Sequence, residues 1–176
     1  MQETIVSSEE VFHGRLVKLF VHEVELSNGS HSKREVVKHP GAVALVALDE
    51  QQNVLLVRQF RLPAAQVLRE IPAGTLEEGE APLACAEREL QEETGYRPGK
   101  LEELGGIFVA PGYTTEYIHL YLATQLRESR LDADADEFVE VDHVPIKDAL
   151  AMIEKGDIID GKSVAGLLRV ARKLGL

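Results

Sequence analysis

The stretch Gly74–Tyr96 of this 176-residue chain reads GTLEEGEAPLACAERELQEETGY. Glu89, Glu92 and Glu93 stand at positions i, i+3 and i+4, a spacing that places three carboxylates on one face of an α-helix. Like charges at this spacing destabilise a helix. Hard divalent cations such as Mg²⁺ take oxygen ligands and would offset that repulsion. The stretch therefore predicts a helical metal site.

The residues around these glutamates predict where the helix begins and ends. Pro82 suits the first turn of a helix, where its missing N–H is not needed. Gly95 suits the position just after the last turn. An apolar stripe for packing is predicted at Leu83, Ala86 and Leu90.

Elsewhere the chain predicts strands and two further helices. The run Arg15–Leu26 alternates apolar and polar residues, as a half-buried strand does. More strands are predicted at Arg34–His39, Ala42–Leu48, Val54–Phe60, Leu101–Ala110, Tyr117–Thr124 and Phe138–Val141. Helices are predicted at Pro145–Lys155 and at Ser163–Leu174, with Ser163 as the N-cap. This order favours an α/β or α+β layered domain, with a mixed sheet flanked by helices and a β-rich arm in front.

Composition narrows the function classes. Hydrophobic residues make up 44% of the chain and charged residues 28%, as in an ordinary globular domain. The formal net charge of −11 disfavours nonspecific nucleic-acid binding, which needs basic residues against phosphates. The sequence has no long apolar run, so it predicts no membrane-spanning segment. The single cysteine, Cys85, fits a reducing cytoplasm and is interpreted as a small buried residue.

The spacing of fixed residues from Gly74 to Tyr96 resembles the Nudix box. That pattern is G, five residues, E, seven residues, R-E-U, one residue, E-E, one residue, G-U, where U is aliphatic. Every glycine and polar position is matched, and Tyr96 alone departs, at a position that concerns packing. The resemblance implies a Nudix α/β/α sandwich that hydrolyses a nucleoside diphosphate linked to another group, with Mg²⁺ or Mn²⁺ as cofactor.

The resemblance also implies roles for individual residues of the box. It makes Glu89 and Glu93 the leading metal ligands, with Glu80 and Glu92 as further ligands or orienting groups. Arg88 would hold a glutamate of the helix through a charge-assisted bond. The backbone carbonyl of Ala73, just before the box, would be a metal ligand as well.

Features outside the box resemble the ADP-ribose pyrophosphatase subfamily. Pro111 lies sixteen residues after Gly95, in the run APGYT. Further likenesses are the segments FHGR at 12–15, REVVKHPGAV at 34–43, VRQFR at 57–61 and EIPAG at 70–74. This resemblance implies cleavage of ADP-ribose to AMP and ribose 5-phosphate. The substrate contacts it implies are Arg34, Arg58, Arg61, Glu70, Pro111, Gly112 and Tyr113.

In this subfamily the catalytic base comes from an acidic loop after the box. The matching loop here is Leu131–Glu140, and Glu137 best fits its EFVEV segment, with Asp134 and Asp136 as reserves. Relatives stack adenine on aromatic side chains near the amino-terminal arm. Since the chain has no tryptophan, a stacking platform would have to come from Phe12, Phe20, Tyr113 or Tyr117.

The amino-terminal arm predicts an assembly. A β-ribbon of residues 1–39 is not stable alone, and the resemblance favours a homodimer with exchanged arms around Nudix domains formed by residues 40–176. Two alternatives stay open for function: a pyrophosphatase for another nucleotide sugar, such as GDP-mannose or UDP-glucose, and an ADP-ribose sensor without catalysis. A hydrolase of mutated nucleoside triphosphates fits the arm and Pro111 less well.

Overall fold

The computed structural model describes residues 2–131 and 139–176. The chain forms two compact units. One consists of the residues through Gly41 together with Phe108–Tyr117, and the other of Ala42–Ile107 together with Ile118–Leu176.

The first unit is built on an antiparallel sheet. Its strands, in spatial order, are β1 (Thr4–His13), β2 (Lys18–Glu25) and β3 (His31–Lys38). All ten positions of β1 are exposed. The loop before Tyr117 lies against β3, because the N–H of Val37 donates to the Tyr113 carbonyl (2.7 Å) and the N–H of Thr115 donates to the Val37 carbonyl (3.0 Å).

The second unit contains the remaining strands and the helices. The strands are β4 (Ala42–Ala47), β5 (Asn53–Arg61), β6 (Gln66–Glu70), β7 (Ala73–Thr75), β8 (Tyr96–Arg97), β9 (Lys100–Phe108), β10 (Tyr117–Thr124), β11 (Arg127–Glu128) and β12 (Glu140–Pro145). The helices are α1 (Pro82–Thr94), α2 (Ile146–Lys155) and α3 (Gly161–Leu174), with a 3₁₀ turn at Leu62–Ala64. None of the helices among the described residues is long and apolar enough to cross a membrane.

A mixed sheet organises the second unit. Its strand order is β7-β4-β10-β9, with β10 parallel and β7 antiparallel to β4. A second, antiparallel sheet has the order β12-β5-β6. The short strands β8 and β11 pair with each other. The predicted mixed sheet is confirmed.

Strand β4 is buried at every position and serves two cores. Successive side chains of a strand point to opposite faces. Ala44 and Val46 belong to a cluster with residues of α2 and α3, whereas Val43 and Leu45 belong to a cluster with Ala86 and Leu90 of α1. Helix α1 therefore covers one face and α2 and α3 the other, which confirms the α/β/α layering.

Helix α1 has the predicted ends. Pro82 is its first residue, and Gly95 follows it with φ +76°, where its N–H donates to the Gln91 carbonyl at 3.0 Å. Ala86 and Leu90 are fully buried, but the predicted core position Leu83 is 51% exposed. That prediction was wrong because Leu83 lies in the first turn, before the buried part of the helix begins at Cys85.

Helix α3 begins earlier than predicted. Its N-cap is Asp160, whose side chain accepts the N–H of Ser163. Ser163, the predicted cap, lies inside the first turn and is completely buried. The prediction was wrong because the aspartate three residues earlier satisfies the free N–H of the turn, which leaves the serine hydroxyl to other partners.

Candidate functional site

The Glu89 carboxylate occupies the space where a side chain at position 74 would lie. Strand β7 is paired with β4 through Ala73 and Gly74, and this holds the Gly74 backbone against α1. A Cβ atom placed on Gly74 would lie 1.8 Å from Cδ of Glu89. Any side chain at position 74 would therefore displace the Glu89 carboxylate, which explains why a glycine stands there.

Arg88 gathers three carboxylates around one guanidinium group. Its Nη1 donates to Glu89 Oε1 at 2.8 Å and to Glu92 Oε2 at 2.9 Å. Its Nε and Nη2 donate to the two oxygens of Glu80, each at 3.0 Å. These hydrogen bonds, above all those with Glu80, raise the pKa of Arg88. Those from Arg88 lower the pKa of Glu80 to about 2, so the pair is ionised at neutral pH.

Glu93 joins the helix to the strand that carries Gly74. Its Oε2 accepts the backbone N–H of Ala73 at 2.9 Å. Glu89 and Glu93 are among the buried charged residues of the chain, at 8% and 7% exposure. Two buried carboxylates on successive turns of α1 thus flank the Ala73–Gly74 backbone.

The donor set of this cluster fits a hard divalent cation. Within residues 2–131 and 139–176, no three His, Cys, Asp or Glu side chains already converge as a cation cage. The cluster nevertheless combines four glutamates with one arginine, and the pocket that Gly74 leaves for the Glu89 carboxylate brings hard oxygen donors to the Ala73–Gly74 backbone. The residues that would hold the ion are Glu89, Glu93 and the Ala73 carbonyl, with Glu80 beside them.

Cys85 lies beside the glutamates of the site. It is fully buried, as expected from the sequence. Burial raises the pKa of its thiol, and the neighbouring carboxylates Glu80 and Glu89 raise it further. The thiol therefore stays protonated and is a poor nucleophile or metal ligand.

A second polar cluster surrounds the buried carboxylate of Glu70. Arg61 binds it with two hydrogen bonds, at 2.8 Å from Nε and 2.7 Å from Nη2, and Lys162 forms a further ion pair with Oε2. Burial alone would raise the pKa of Glu70, but Arg61 and Lys162 lower it below its ordinary value. Lys162 also donates to Asp160 at 3.0 Å. Two of the predicted substrate contacts, Arg61 and Glu70, thus bind each other.

Arg58, a third predicted substrate contact, lies on β5 opposite Glu140 of β12. Its Nη2 is 2.5 Å from Glu140 Oε2, and its Nε is 3.0 Å from Asp142 Oδ2. The side chain borders an open cavity together with Phe60, Val67 and Val139. The arginine is therefore ion-paired and still reachable from solvent.

The other predicted substrate contacts belong to the first unit. Arg34 on β3 pairs with Glu3 through Nε (3.0 Å) and Nη2 (2.5 Å). Pro111, Gly112 and Tyr113 form the turn whose Tyr113 carbonyl accepts from β3, and the Tyr113 side chain is exposed. Of the aromatic candidates, Phe12 is also exposed, Phe20 stacks on His22, and Tyr117 contacts Phe108 edge to face.

Glu137, Asp134 and Asp136, the candidates for the catalytic base, lie outside the described residues. In contrast, the structure reveals three polar residues at the start of α3 that the sequence interpretation did not assign to the site: Asp160, Lys162 and Ser163. The signal that could have found Asp160 is an aspartate directly before the apolar-periodic segment that forms α3, which is a typical N-cap position.

Two family models together match most of the chain. The NUDIX domain model matches residues 38–167, and the nucleoside diphosphate sugar hydrolase N-terminal domain model matches residues 3–37. An ADP-ribose pyrophosphatase of Bacillus subtilis (strain 168) and a methanol dehydrogenase activator of Bacillus methanolicus are each 44% identical, over 93% of this chain and 89% of the relative. A GDP-mannose pyrophosphatase of Citrobacter koseri is 37% identical over 85% of this chain and 84% of its own.

The fold also has a counterpart among solved structures. A crystal structure of an ADP compounds hydrolase superposes with a TM-score of 0.88, covers 99% of this chain and 95% of its own, and is 24% identical. That likeness concerns the fold.

Proposed function

Because this chain belongs to the Nudix family, we propose that it hydrolyses the pyrophosphate bond of ADP-ribose to give AMP and ribose 5-phosphate, with Mg²⁺ as its cofactor and Mn²⁺ as a substitute. The single observation that carries the proposal is that the Glu89 carboxylate packs against the Gly74 backbone, next to Glu93 and Ala73. The ADP-ribose pyrophosphatase relative, 44% identical over most of the chain, supports the choice of substrate.

The residues of the site would have two roles: some bind the cation, and Arg88 keeps the glutamate side chains in position. Glu89 and Glu93, with the Ala73 carbonyl and Glu80, would hold the cation. When bound, a divalent cation neutralises charge on the phosphoryl oxygens and lowers the pKa of a water molecule it holds. Arg88 fixes the rotamers of Glu80, Glu89 and Glu92 through its hydrogen bonds, so that their oxygens are in place before substrate arrives.

The diphosphate of the substrate is negatively charged and the chain is strongly acidic, so arginine side chains would have to bind the phosphates. Arg58 and Arg61 on β5, and Arg34 on the arm, carry guanidinium groups that suit phosphate oxygens. Glu70 would act on substrate together with Arg61, to which it is hydrogen-bonded. Pro111, Gly112 and Tyr113 would contact the substrate as well. Glu137 would take the proton from the attacking water.

The arm and the catalytic domain would combine in a homodimer. We assign residues 1–39 to a dimerisation arm and residues 40–176 to the Nudix domain. In support, β1 is exposed along its whole length, including Ile5 and Phe12 at 58% and 57% exposure, and exposed apolar side chains on one strand suit burial by a partner. Light scattering after gel filtration tests the dimer, and a monomeric mass would contradict it.

The free Cys85 supports a cytoplasmic location.

A substrate panel tests the activity. Purified protein is incubated with ADP-ribose, GDP-mannose or UDP-glucose, each with Mg²⁺ or Mn²⁺, and the products are separated and quantified. We expect the highest kcat/KM for ADP-ribose, with AMP and ribose 5-phosphate in equal amounts.

The relative named GDP-mannose pyrophosphatase makes GDP-mannose hydrolysis the second candidate function. Equal or better turnover of GDP-mannose would contradict the assignment to ADP-ribose while leaving the Nudix chemistry intact. Binding of ADP-ribose without turnover, under every metal condition, would instead favour the sensor.

A further inference from the structure

We propose that Ser163, at the start of α3, is a positioning residue for the metal site: it fixes the backbone of the Glu70–Gly74 segment and thereby sets the affinity for the divalent cation. This inference rests on the proposed function, because it concerns the same cation. Ser163 is 92 residues from Ile71 in sequence.

The hydroxyl group of Ser163 joins two partners in a fixed direction. It donates its only hydrogen to Asp160 Oδ2 at 2.5 Å. Its oxygen then accepts the backbone N–H of Ile71 at 2.8 Å. Because Asp160 also accepts the N–H of Ser163 at 3.0 Å, the aspartate holds the serine by two hydrogen bonds and leaves the hydroxyl oxygen directed at Ile71.

The segment that receives this hydrogen bond leads directly into the metal site. Ile71 is completely buried. The next carbonyl, that of Pro72, accepts the N–H of Leu45 on β4 at 2.8 Å. The N–H of Ala73 then donates to Glu93 at 2.9 Å. Three successive residues are therefore anchored to α3, to β4 and to α1, and the third carries the carbonyl assigned to the cation.

The close approach of α3 makes the anchor rigid. Gly166 lies one turn after Ser163, and a Cβ atom there would come within 2.9 Å of Ile71 Cδ1 and 3.1 Å of Val46 Cγ2. Residue 70 is held from the same helix, since Lys162 pairs with the Glu70 carboxylate. Both Glu70 and Ile71 are thus bound to the first turn of α3, and the Ala73 carbonyl has little freedom to move.

The test measures Mn²⁺ binding to the free protein, without substrate, by electron paramagnetic resonance of the unbound ion. In Ser163→Ala the Ile71 N–H loses its acceptor, and we expect the Kd for Mn²⁺ to rise about tenfold, as it does when a partner that supports a metal ligand is removed. In steady-state assays the metal concentration for half-maximal rate should rise in parallel, while kcat at saturating Mn²⁺ stays close to that of the wild type.

The matched control is Val170→Ala, on the same helix. Val170 is fully buried in the core cluster, so this variant also loses stability but keeps the Ser163–Ile71 hydrogen bond. Its Kd for Mn²⁺ should equal that of the wild type. Asp160→Asn serves as a second variant if Ser163→Ala does not fold, because it retains a capping oxygen while weakening the acceptor of the serine hydroxyl; its Kd should rise too.

Three results would overturn the inference. An unchanged Kd in both Ser163→Ala and Asp160→Asn would show that the anchor does not act on the site. An equal rise in Val170→Ala would show that the effect is general destabilisation. A wild-type protein that binds no Mn²⁺ would remove the proposed metal site as well, whereas normal wild-type binding with unaffected variants would contradict this inference alone.

Discussion

The cluster around Arg88 and the cluster around Glu70 contain the same kinds of charged side chain, but they differ in how the positive and negative charges balance. Around Arg88, one guanidinium serves Glu80, Glu89 and Glu92, and Glu93 adds a further carboxylate. Around Glu70, two cations and two carboxylates match one for one. The first cluster has excess negative charge and suits a cation from outside, whereas in the second the charges of β5, β6 and the start of α3 balance one another.

The largest effect is expected when the balanced cluster is broken. Glu70→Ala leaves Arg61 and Lys162 facing each other, with Lys162 only 11% exposed. We expect a loss of about 3–5 kcal/mol in the free energy of unfolding, because a buried ion pair that loses one partner leaves an uncompensated charge. Urea denaturation measures this. The control is Glu87→Ala, which removes a carboxylate from an exposed pair with Arg97. If Glu70→Ala and Glu87→Ala had the same free energy of unfolding, the structural importance of the Glu70 cluster would be contradicted.

The unbalanced cluster should respond in activity instead. Glu93→Gln retains an oxygen for the Ala73 N–H but removes a charged ligand. We expect kcat for ADP-ribose to fall at least about a hundredfold, since lost charge stabilisation raises the barrier by several kcal/mol. Stability without metal should change little. Glu78→Gln, at an exposed position before the helix, is the control. A Glu93→Gln variant with near-normal turnover would refute the ligand assignment.

Added cations should stabilise the protein through the first cluster. At about 100 times its Kd, Mn²⁺ should raise the free energy of unfolding by about 2.7 kcal/mol, because it binds the folded state alone. Differential scanning fluorimetry with and without chelator detects the shift. Glu93→Gln should lose the shift, while Glu78→Gln, at an exposed position before the helix, should keep it. A shift that persists in Glu93→Gln would place the ion elsewhere.

The smallest effect concerns the pH dependence of the pair between Glu80 and Arg88. The folded pKa of Glu80, about 2, lies below its ordinary value of 4.5. The pair therefore stabilises the fold above pH 4.5, and this contribution is lost as the pH falls through about 2. Because solvent reaches part of the pair, Glu80→Gln should cost about 1 kcal/mol at neutral pH. The difference in the free energy of unfolding between Glu80→Gln and the wild type should vanish in acid. A difference that stays constant from pH 7 to pH 2 would contradict the role of the ion pair.

The two clusters also differ in how far the sequence predicts them. The glutamates of α1, Pro82 and Gly95 lie within one helix and its ends, so their spacing alone places them on one face. The local pattern was therefore sufficient for the first cluster. The Glu70–Lys162 and Ile71–Ser163 contacts join residues 92 positions apart, and no local pattern reports such a contact.

The strands show the same limit. Strand β4 was predicted because its apolar run matches burial on both faces. Strand β7, with the sequence AGT, was not predicted, because alanine and glycine disfavour a strand and one threonine is too short a signal; pairing with β4 makes the segment a strand. The positions of Leu83 and Ser163 were misjudged for a related reason: periodicity indicates a face, but the neighbouring elements decide where burial begins.

A crystal structure with Mn²⁺ and a nonhydrolysable ADP-ribose analogue, in which the anomalous signal locates the metal, tests the proposed metal site without any assumption about rates. We expect a peak at Glu89 and Glu93, next to the Ala73 carbonyl, with the diphosphate of the analogue against it. An anomalous map without density at these carboxylates, from crystals that contain the analogue, would contradict it.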